Sequence, residues 1–193
     1  PADRHDPATV SIPPYYPDTE VFRHSWARYL DLITQMDHWV GGLLAQLDED
    51  GLTESTIVVF WSDHGAGFPG AKRWASEAGV RVPLIVRWPG VLEPGASHRA
   101  PVPLMDLAPT MLEMCGLPIP DDMEGPPFIT RDGSVGSPSR YVVSSRDRMD
   151  EQHDTSRSIR DERYRYTRHL HPDRSPMQHN AFGDRTATWA ELR

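Results

Sequence analysis

The sequence predicts an α/β protein whose central strands are mostly parallel. The first observation is a long helical stripe of apolar residues that ends near residue 50. The second is a pair of apolar runs, residues 56–61 and 83–88. The third is a further helical segment, residues 106–115. Helix, strand, loop, strand and helix therefore succeed one another, which is the order typical of α/β folds.

The first helix begins where Asp18 or Thr19 can cap it, with Glu20 in its first turn. Apolar residues then recur at alternating steps of four and three, which is helical spacing, and Gly51 ends the helix. These positions are Phe22, Trp26, Tyr29, Ile33, Met36, Val40, Leu43 and Leu47. The stripe predicts a helix packed on a sheet.

Two strands and a second helix follow. Residues 56–61 are an unbroken apolar run, which indicates a strand buried on both faces and hence a central parallel strand. Residues 83–88 predict a second strand. Residues 106–115 predict a helix that Gly116 ends, and Pro109 is tolerated there because it falls in the first turn.

The C-terminal third has a different composition. Residues 118–140 are rich in Pro, Gly, Asp and Ser and predict a long surface connection. Residues 141–145 predict a strand. Residues 157–160 and 164–168 alternate in polarity around a polar turn, which predicts a β-hairpin.

Composition excludes several classes of protein. The chain of 193 residues carries 20 Lys+Arg against 28 Asp+Glu, so we expect no nucleic-acid partner. No run approaches the roughly 20 apolar residues that span a bilayer, so we expect no membrane partner. Cys115 is the single cysteine, which excludes an internal disulfide and a Cys-based zinc cluster, and we expect it to be a small buried residue at a helix end.

Both ends of the sequence predict a truncated chain. It begins at Pro1 without a signal-peptide pattern, and residues 186–193 resemble the first turn of a helix. Lys72 is the single lysine beside 19 arginines, which suggests a site that uses a compact point charge, with chance as the alternative.

The run 56–61 leads directly into Asp63 and His64. Ligands of open α/β sheets bind outside the carboxyl ends of the strands, and this pair offers a carboxylate oxygen and an imidazole nitrogen to one divalent metal. The remaining ligands must come from elsewhere. The alternative is an aspartate that caps a turn beside a surface histidine. A small-residue loop, 66–71, then ends at Lys72, and this arrangement suits sulfate or phosphate.

Residues 56–65 (TIVVFWSDHG), Lys72 and residues 79–90 (GVRVPLIVRWPG) together resemble the sulfatase family of the alkaline phosphatase superfamily. The similarity extends to the helix 29–47 and to residues 103–120. The short loop before Lys72 is similar to that of the N-sulfoglucosamine sulfohydrolase (heparan N-sulfatase) branch.

The resemblance implies part of an alkaline-phosphatase-like α/β sandwich with mostly parallel central strands, followed by a small C-terminal antiparallel sheet. Residues 1–130 would form the C-terminal part of the catalytic domain. Residues 131–193 would form a small α+β subdomain that is truncated at its end.

The resemblance also implies site residues. Asp63 and His64 would bind one divalent metal, Ca²⁺ by family habit, although many relatives carry Asn at the second position. Lys72 would contact the sulfate and stabilise charge on the ester oxygens. Arg148 and Glu151, in a polar patch with Asp150, His153 and Asp154, would contact the substrate, the alternative being a solvated loop.

Sulfatases of this family use a formylglycine made from the first residue of a Cys/Ser-x-Pro-x-Arg motif. Cys115 has proline at the wrong offset, and residues 136–140 (GSPSR) have glycine at the modified position. We therefore expect the nucleophile upstream, and we expect these 193 residues alone to be inactive.

The predicted function is hydrolysis of a sulfate ester or N-sulfate on a sulfated small molecule or sugar. One alternative is a phosphonate or phosphodiester hydrolase that uses Mn²⁺ or Zn²⁺, since His64 is compatible with a softer metal. Another is a non-catalytic truncated paralogue. Family habit favours a periplasmic or secreted location, with the cytoplasm as the alternative. The sequence leaves the oligomeric state open.

Overall fold

The computed structural model describes residues 4–136, 140–149 and 151–193. The chain divides into two compact units, Pro1–Thr56 with His179–Arg193, and Ile57–Gln178. The domain boundary predicted at residue 130 refers to the domains of the complete protein, and it stays a prediction. Within the described ranges, none of the helices combines the length and apolar character needed to cross a membrane.

The first unit is built on α1, Glu20–Glu49. Thr19 caps it, and the Thr19 hydroxyl accepts a hydrogen bond from the Phe22 amide at 3.4 Å. The chain leaves the helix at Gly51, whose φ of 68° is the left-handed conformation that favours glycine. The predicted start and end of this helix are both confirmed.

The apolar stripe of α1 is buried over its first turns alone. Phe22 is fully buried and stacks on Tyr16, with ring centroids 5.2 Å apart. Further along, Ile33, Met36 and Leu43 are 37%, 41% and 48% exposed. The prediction that the whole stripe packs on a sheet stays a prediction, because the strands of the described residues all belong to the other unit.

A short C-terminal helix, Ala187–Leu192, completes the first unit and confirms the helical turn predicted there. It lies against α1 and buries Trp189. Single turns of 3-10 helix occur at Thr53–Ser55, Leu104–Asp106 and Gly183–Arg185.

The second unit begins with strands β1, Val58–Trp61, and β2, Leu84–Arg87, which pair antiparallel with Trp61 opposite Leu84. β2 is therefore not one of the parallel neighbours expected of a central strand at residues 56–61. Residues 62–83 leave and rejoin the pair at the same end, whereas a parallel neighbour would need a crossover back to the other end. Trp61 is 44% exposed.

The core of this unit lies under the two strands. Its buried residues come from α3, Leu107–Met114, and from a later segment that contains Phe128 and Ile129. Pro109 is buried in the first turn of α3, as predicted. The prediction of a buried Cys115 is wrong: Met114 turns into the core, and Cys115, the C-cap residue, is exposed.

A three-stranded antiparallel sheet follows. Its strands are β3, Val142–Met149, β4, Gln152–Arg160, and β5, Arg165–His169, in that order across the sheet. The predicted hairpin is β4–β5, and the Asp161 carboxylate holds its turn by accepting hydrogen bonds from the amides of Arg163 and Tyr164 at 2.8 and 2.5 Å.

Candidate active site

Asp63 and His64 follow directly after β1. The Ser62 hydroxyl donates to the His64 carbonyl at 2.8 Å and turns the chain there. Nδ1 of His64 lies 2.8 Å from the Gly65 carbonyl oxygen. Because a carbonyl can only accept, Nδ1 donates in this contact, and Nε2 is the ring nitrogen left to face Asp63. Oδ2 of Asp63 is 3.4 Å from that Nε2.

This separation fits a shared divalent cation. Two ligands about 2.4 Å from one ion, at right angles, are roughly 3.4 Å apart. The hydrogen bond from Nδ1 to a backbone carbonyl is also the outer contact that metal-binding histidines usually make. Among the described residues, no group of three or more His, Cys, Asp or Glu side chains is arranged to hold a metal. The role of Asp63 and His64 as metal ligands therefore stays a prediction.

The next segment, residues 65–79, is a closed loop that we call the Lys72 loop. The Gly65 amide donates to the Gly79 carbonyl at 2.8 Å and joins its two ends. A Cβ on Gly65 would lie 1.8 Å from the Ala78 carbonyl oxygen, and one on Gly79 would lie 2.1 Å from that of Trp74. The close approach of these backbones therefore requires glycine at both positions.

Lys72 lies inside this loop and is partly buried. Its amide donates to the Ala66 carbonyl at 2.9 Å. This hydrogen bond holds the Lys72 backbone to a residue that follows His64 by two positions. The next residue, Arg73, has a φ of 76°, a left-handed conformation that costs energy for any residue with a Cβ. The backbone of Lys72 is thus held against Ala66 and is followed by a strained residue.

Glu77 begins the short helix α2, Glu77–Val80, and joins the loop to the antiparallel sheet. Its Oε2 accepts from Nη2 of Arg165 at 2.9 Å and from Nε of Arg160 at 3.1 Å. We call these three residues the Glu77 ion-pair cluster. Burial alone would raise the pKa of Glu77, but the hydrogen bonds and charges of Arg160 and Arg165 outweigh it and hold the pKa below its usual range.

Sequence reasoning missed this cluster. Glu77 and its two arginines are more than 80 residues apart along the chain. The sequence contains one weak indication of such a cluster. Arg160 and Arg165 lie opposite each other in the hairpin, and two like charges in that position are unfavourable unless an anion lies between them.

The polar patch predicted to contact substrate is divided in the structure. Arg148 and Glu151 are exposed, but Asp154 is buried, with its carboxylate 3.4 Å from a guanidinium nitrogen of Arg146. Asp150 lies outside the described residues, as do positions 137–139 of the GSPSR segment. A substrate role for Arg148 and Glu151 stays a prediction.

The Glu77 cluster predicts a pH dependence. Because the pKa of folded Glu77 is depressed, its stabilisation is complete above the unfolded value, about 4.3, and is lost as pH falls through the lower folded value. We expect the free energy of unfolding of the 193-residue chain to fall less steeply below pH 4.3 in Glu77→Gln than in the wild type. Urea unfolding between pH 3 and 6 measures this, and equal slopes would contradict it. Arg81, 3.5 Å away, also faces this carboxylate.

The fold is of the alkaline-phosphatase-like α/β class, and comparison with known proteins gives the family. The sulfatase family profile, described as Sulfatase, matches residues 3–117. The profile described as N-sulphoglucosamine sulphohydrolase, C-terminal, matches residues 67–173. The chain belongs to the sulfatase family.

Individual relatives agree with this. An ulvan-active sulfatase of Formosa agariphila is 34% identical over 183 residues, covering 94% of this chain and 30% of that protein. The steryl-sulfatase of Mus musculus is 41% identical over 111 residues, covering 49% of this chain and 18% of that protein. The chain therefore spans less than a third of the length of these curated relatives.

Two solved structures share the fold. One is a protein in complex with its substrate D-glucosamine-2-N,6-O-disulfate, with a TM-score of 0.69, 24% identity and coverage of 82% of this chain and 34% of that one. The other is the protein yidJ of Bacteroides fragilis, with a TM-score of 0.64, 29% identity and coverage of 78% and 34%. The alkaline-phosphatase-like α/β class, with its small antiparallel sheet, is confirmed.

Proposed function

We propose that the intact protein containing this chain is a sulfatase that hydrolyses a sulfate ester or N-sulfate of a sulfated sugar. The observation that carries the proposal is the Lys72 loop, which follows the Asp63–His64 pair at the end of β1 and ties the Lys72 amide to the Ala66 carbonyl, two residues after His64. Membership of the sulfatase family supports this chemistry.

Each site residue has a separate role in the proposal. Asp63 and His64 hold one divalent cation, Ca²⁺ being the first candidate, through a carboxylate oxygen and the Nε2 lone pair. A cation bound there supplies positive charge to the sulfate oxygens. Lys72 places its ammonium against the sulfate and stabilises charge that develops on the ester oxygens. The formylglycine nucleophile is expected upstream of this chain.

A sulfated sugar is the proposed substrate class. One structural neighbour has a disulfated glucosamine as its substrate, and the name of one relative refers to ulvan. Arg148 and Glu151 are exposed, and in this proposal they contact sugar hydroxyls or a second sulfate.

His64 favours one alternative function, a phosphonate or phosphodiester hydrolase. An imidazole nitrogen suits Mn²⁺ or Zn²⁺ better than Ca²⁺, which prefers oxygen ligands. Metal analysis of the intact protein, with paired rates on an aryl sulfate and an aryl phosphonate ester, decides between the two. Ca²⁺ with faster sulfate hydrolysis supports the sulfatase, and Mn²⁺ or Zn²⁺ with faster phosphonate hydrolysis overturns it.

The 193-residue chain alone is expected to show no sulfatase activity and to bind calcium in the millimolar range or weaker. Two ligands, one of them an imidazole, do not displace enough water from a hard cation that takes six to eight oxygen ligands. Calorimetric titration of the chain with Ca²⁺ measures the affinity. Sub-micromolar binding would contradict the proposal that further ligands lie outside this chain.

A further inference from the structure

The Lys72 loop is fastened to the antiparallel sheet by several contacts besides the Glu77 cluster. Nη1 of Arg165 lies 3.4 Å from the Ala75 carbonyl oxygen. The guanidinium carbon of Arg146, on β3, lies 4.1 Å from the ring centroid of Trp74. Residues 74, 75 and 77 therefore all contact the sheet, and they follow Lys72 by two to five positions.

The arginines are themselves held in place. The side chain of Arg165 is 16% exposed and that of Arg160 is 23% exposed. Nη1 of Arg165 also donates to the hydroxyl of Ser158, a buried residue of β4, at 2.8 Å. Partly buried arginines that meet one carboxylate with several hydrogen bonds define its position far better than an exposed ion pair does.

The loop needs such an external support. Arg73 holds a left-handed backbone conformation directly after Lys72, and such a conformation persists where surrounding contacts fix it. A charged group that stabilises a transition state must also be placed within about 0.5 Å, since a displacement of 1 Å costs on the order of 100-fold in rate.

We propose that Glu77 is a positioning residue for Lys72: its carboxylate, bound by Arg160 and Arg165, anchors the loop so that the Lys72 ammonium meets the sulfate. The antiparallel sheet thereby acts on the reaction without contacting the reacting atoms. This inference rests on the proposed sulfatase function and goes beyond it by assigning a role to the sheet.

A double-mutant cycle on the intact enzyme tests the proposal, with kcat and KM measured separately on an aryl sulfate. Glu77→Gln is expected to lower kcat by about 10-fold in the wild-type background, because the carboxamide cannot pair with two guanidinium groups. In the Lys72→Ala background the same change is expected to lower kcat less than twofold, since no ammonium remains to be positioned.

The outcomes separate this inference from the proposed function. If Lys72→Ala leaves kcat unchanged, the role proposed for Lys72 fails. If Lys72→Ala lowers kcat but Glu77→Gln has no effect, or has an equal effect in both backgrounds, the positioning role of Glu77 fails alone.

Two further measurements keep the result interpretable. Asp18→Asn, which removes the charge of a carboxylate that accepts from Arg23 at 2.7 Å just before α1, is the matched control and is expected to leave kcat unchanged. Hydrogen exchange of residues 66–76 is expected to be faster in Glu77→Gln and in Arg165→Met than in this control. Unchanged exchange in both variants would overturn the anchoring.

Discussion

Replacement of Lys72 by alanine is expected to lower kcat of the intact enzyme by on the order of 100-fold or more, with little change in thermal stability. Removal of one preorganised group that stabilises charge in a transition state costs roughly 2.7–4 kcal/mol. The fold loses little, because the loop is closed by backbone contacts such as the bond from the Lys72 amide to the Ala66 carbonyl, which alanine retains.

Lys72→Arg is the matched variant for this prediction, and we expect it to restore part of the lost activity. A planar guanidinium spreads its charge over a fork and cannot occupy the point that an ammonium fills. The same comparison tests why the chain has one lysine beside 19 arginines. Full activity in Lys72→Arg would show that the site does not require a lysine, and that the single lysine has no functional meaning. Loss of stability with retained activity in Lys72→Ala would show that the residue is structural.

Sequence periodicity was sufficient where the responsible contacts are local. The cap at Thr19 and the end of α1 at Gly51 depend on neighbours within four residues, and both are confirmed. The β4–β5 hairpin depends on alternation around the turn at Asp161, and it too is confirmed. Such signals lie in residues that are close together in the sequence, so a single sequence is enough to detect them.

Strand direction and burial could not be predicted in the same way. An apolar run such as residues 56–61 indicates that a strand has apolar neighbours but not which way its partner runs. The direction of β2 depends on the path of residues 62–83, which return to the end of β1 that they left. The exposure of Ile33 and Leu43 likewise depends on which elements lie against α1, and periodicity contains no information about that.

The candidate site also combines features that the sequence predicts with features that depend on the fold. The adjacency of Asp63 and His64 at the end of β1 followed from the sequence, because consecutive residues cannot be separated. The proton on Nδ1 of His64 required the position of the Gly65 carbonyl. The Glu77 cluster joins residues more than 80 positions apart, so it required the fold of the whole second unit.

Gly79→Ala is expected to be a strongly damaging substitution in the Lys72 loop. The added Cβ would lie 2.1 Å from the Trp74 carbonyl oxygen and 2.4 Å from that of Ala71. Both oxygens are backbone atoms. The clash can therefore be relieved only by a movement of the loop backbone, because no side chain can rotate away. Forced overpacking of this kind costs about 3 kcal/mol, and we expect the free energy of unfolding of the 193-residue chain to fall by about that amount.

The same substitution should reduce activity of the intact enzyme by on the order of 100-fold, because Trp74 and Ala71 flank Lys72 and must shift by an ångström or more. Gly67→Ala is the control within the loop: no heavy atom lies within 4 Å of its new Cβ, so stability should change by less than about 0.5 kcal/mol. Urea unfolding and kcat measured for both variants decide the matter. If Gly79→Ala matches Gly67→Ala in both, residues 71–79 are not packed as a closed loop, and the anchoring of Lys72 through Glu77 loses its physical basis.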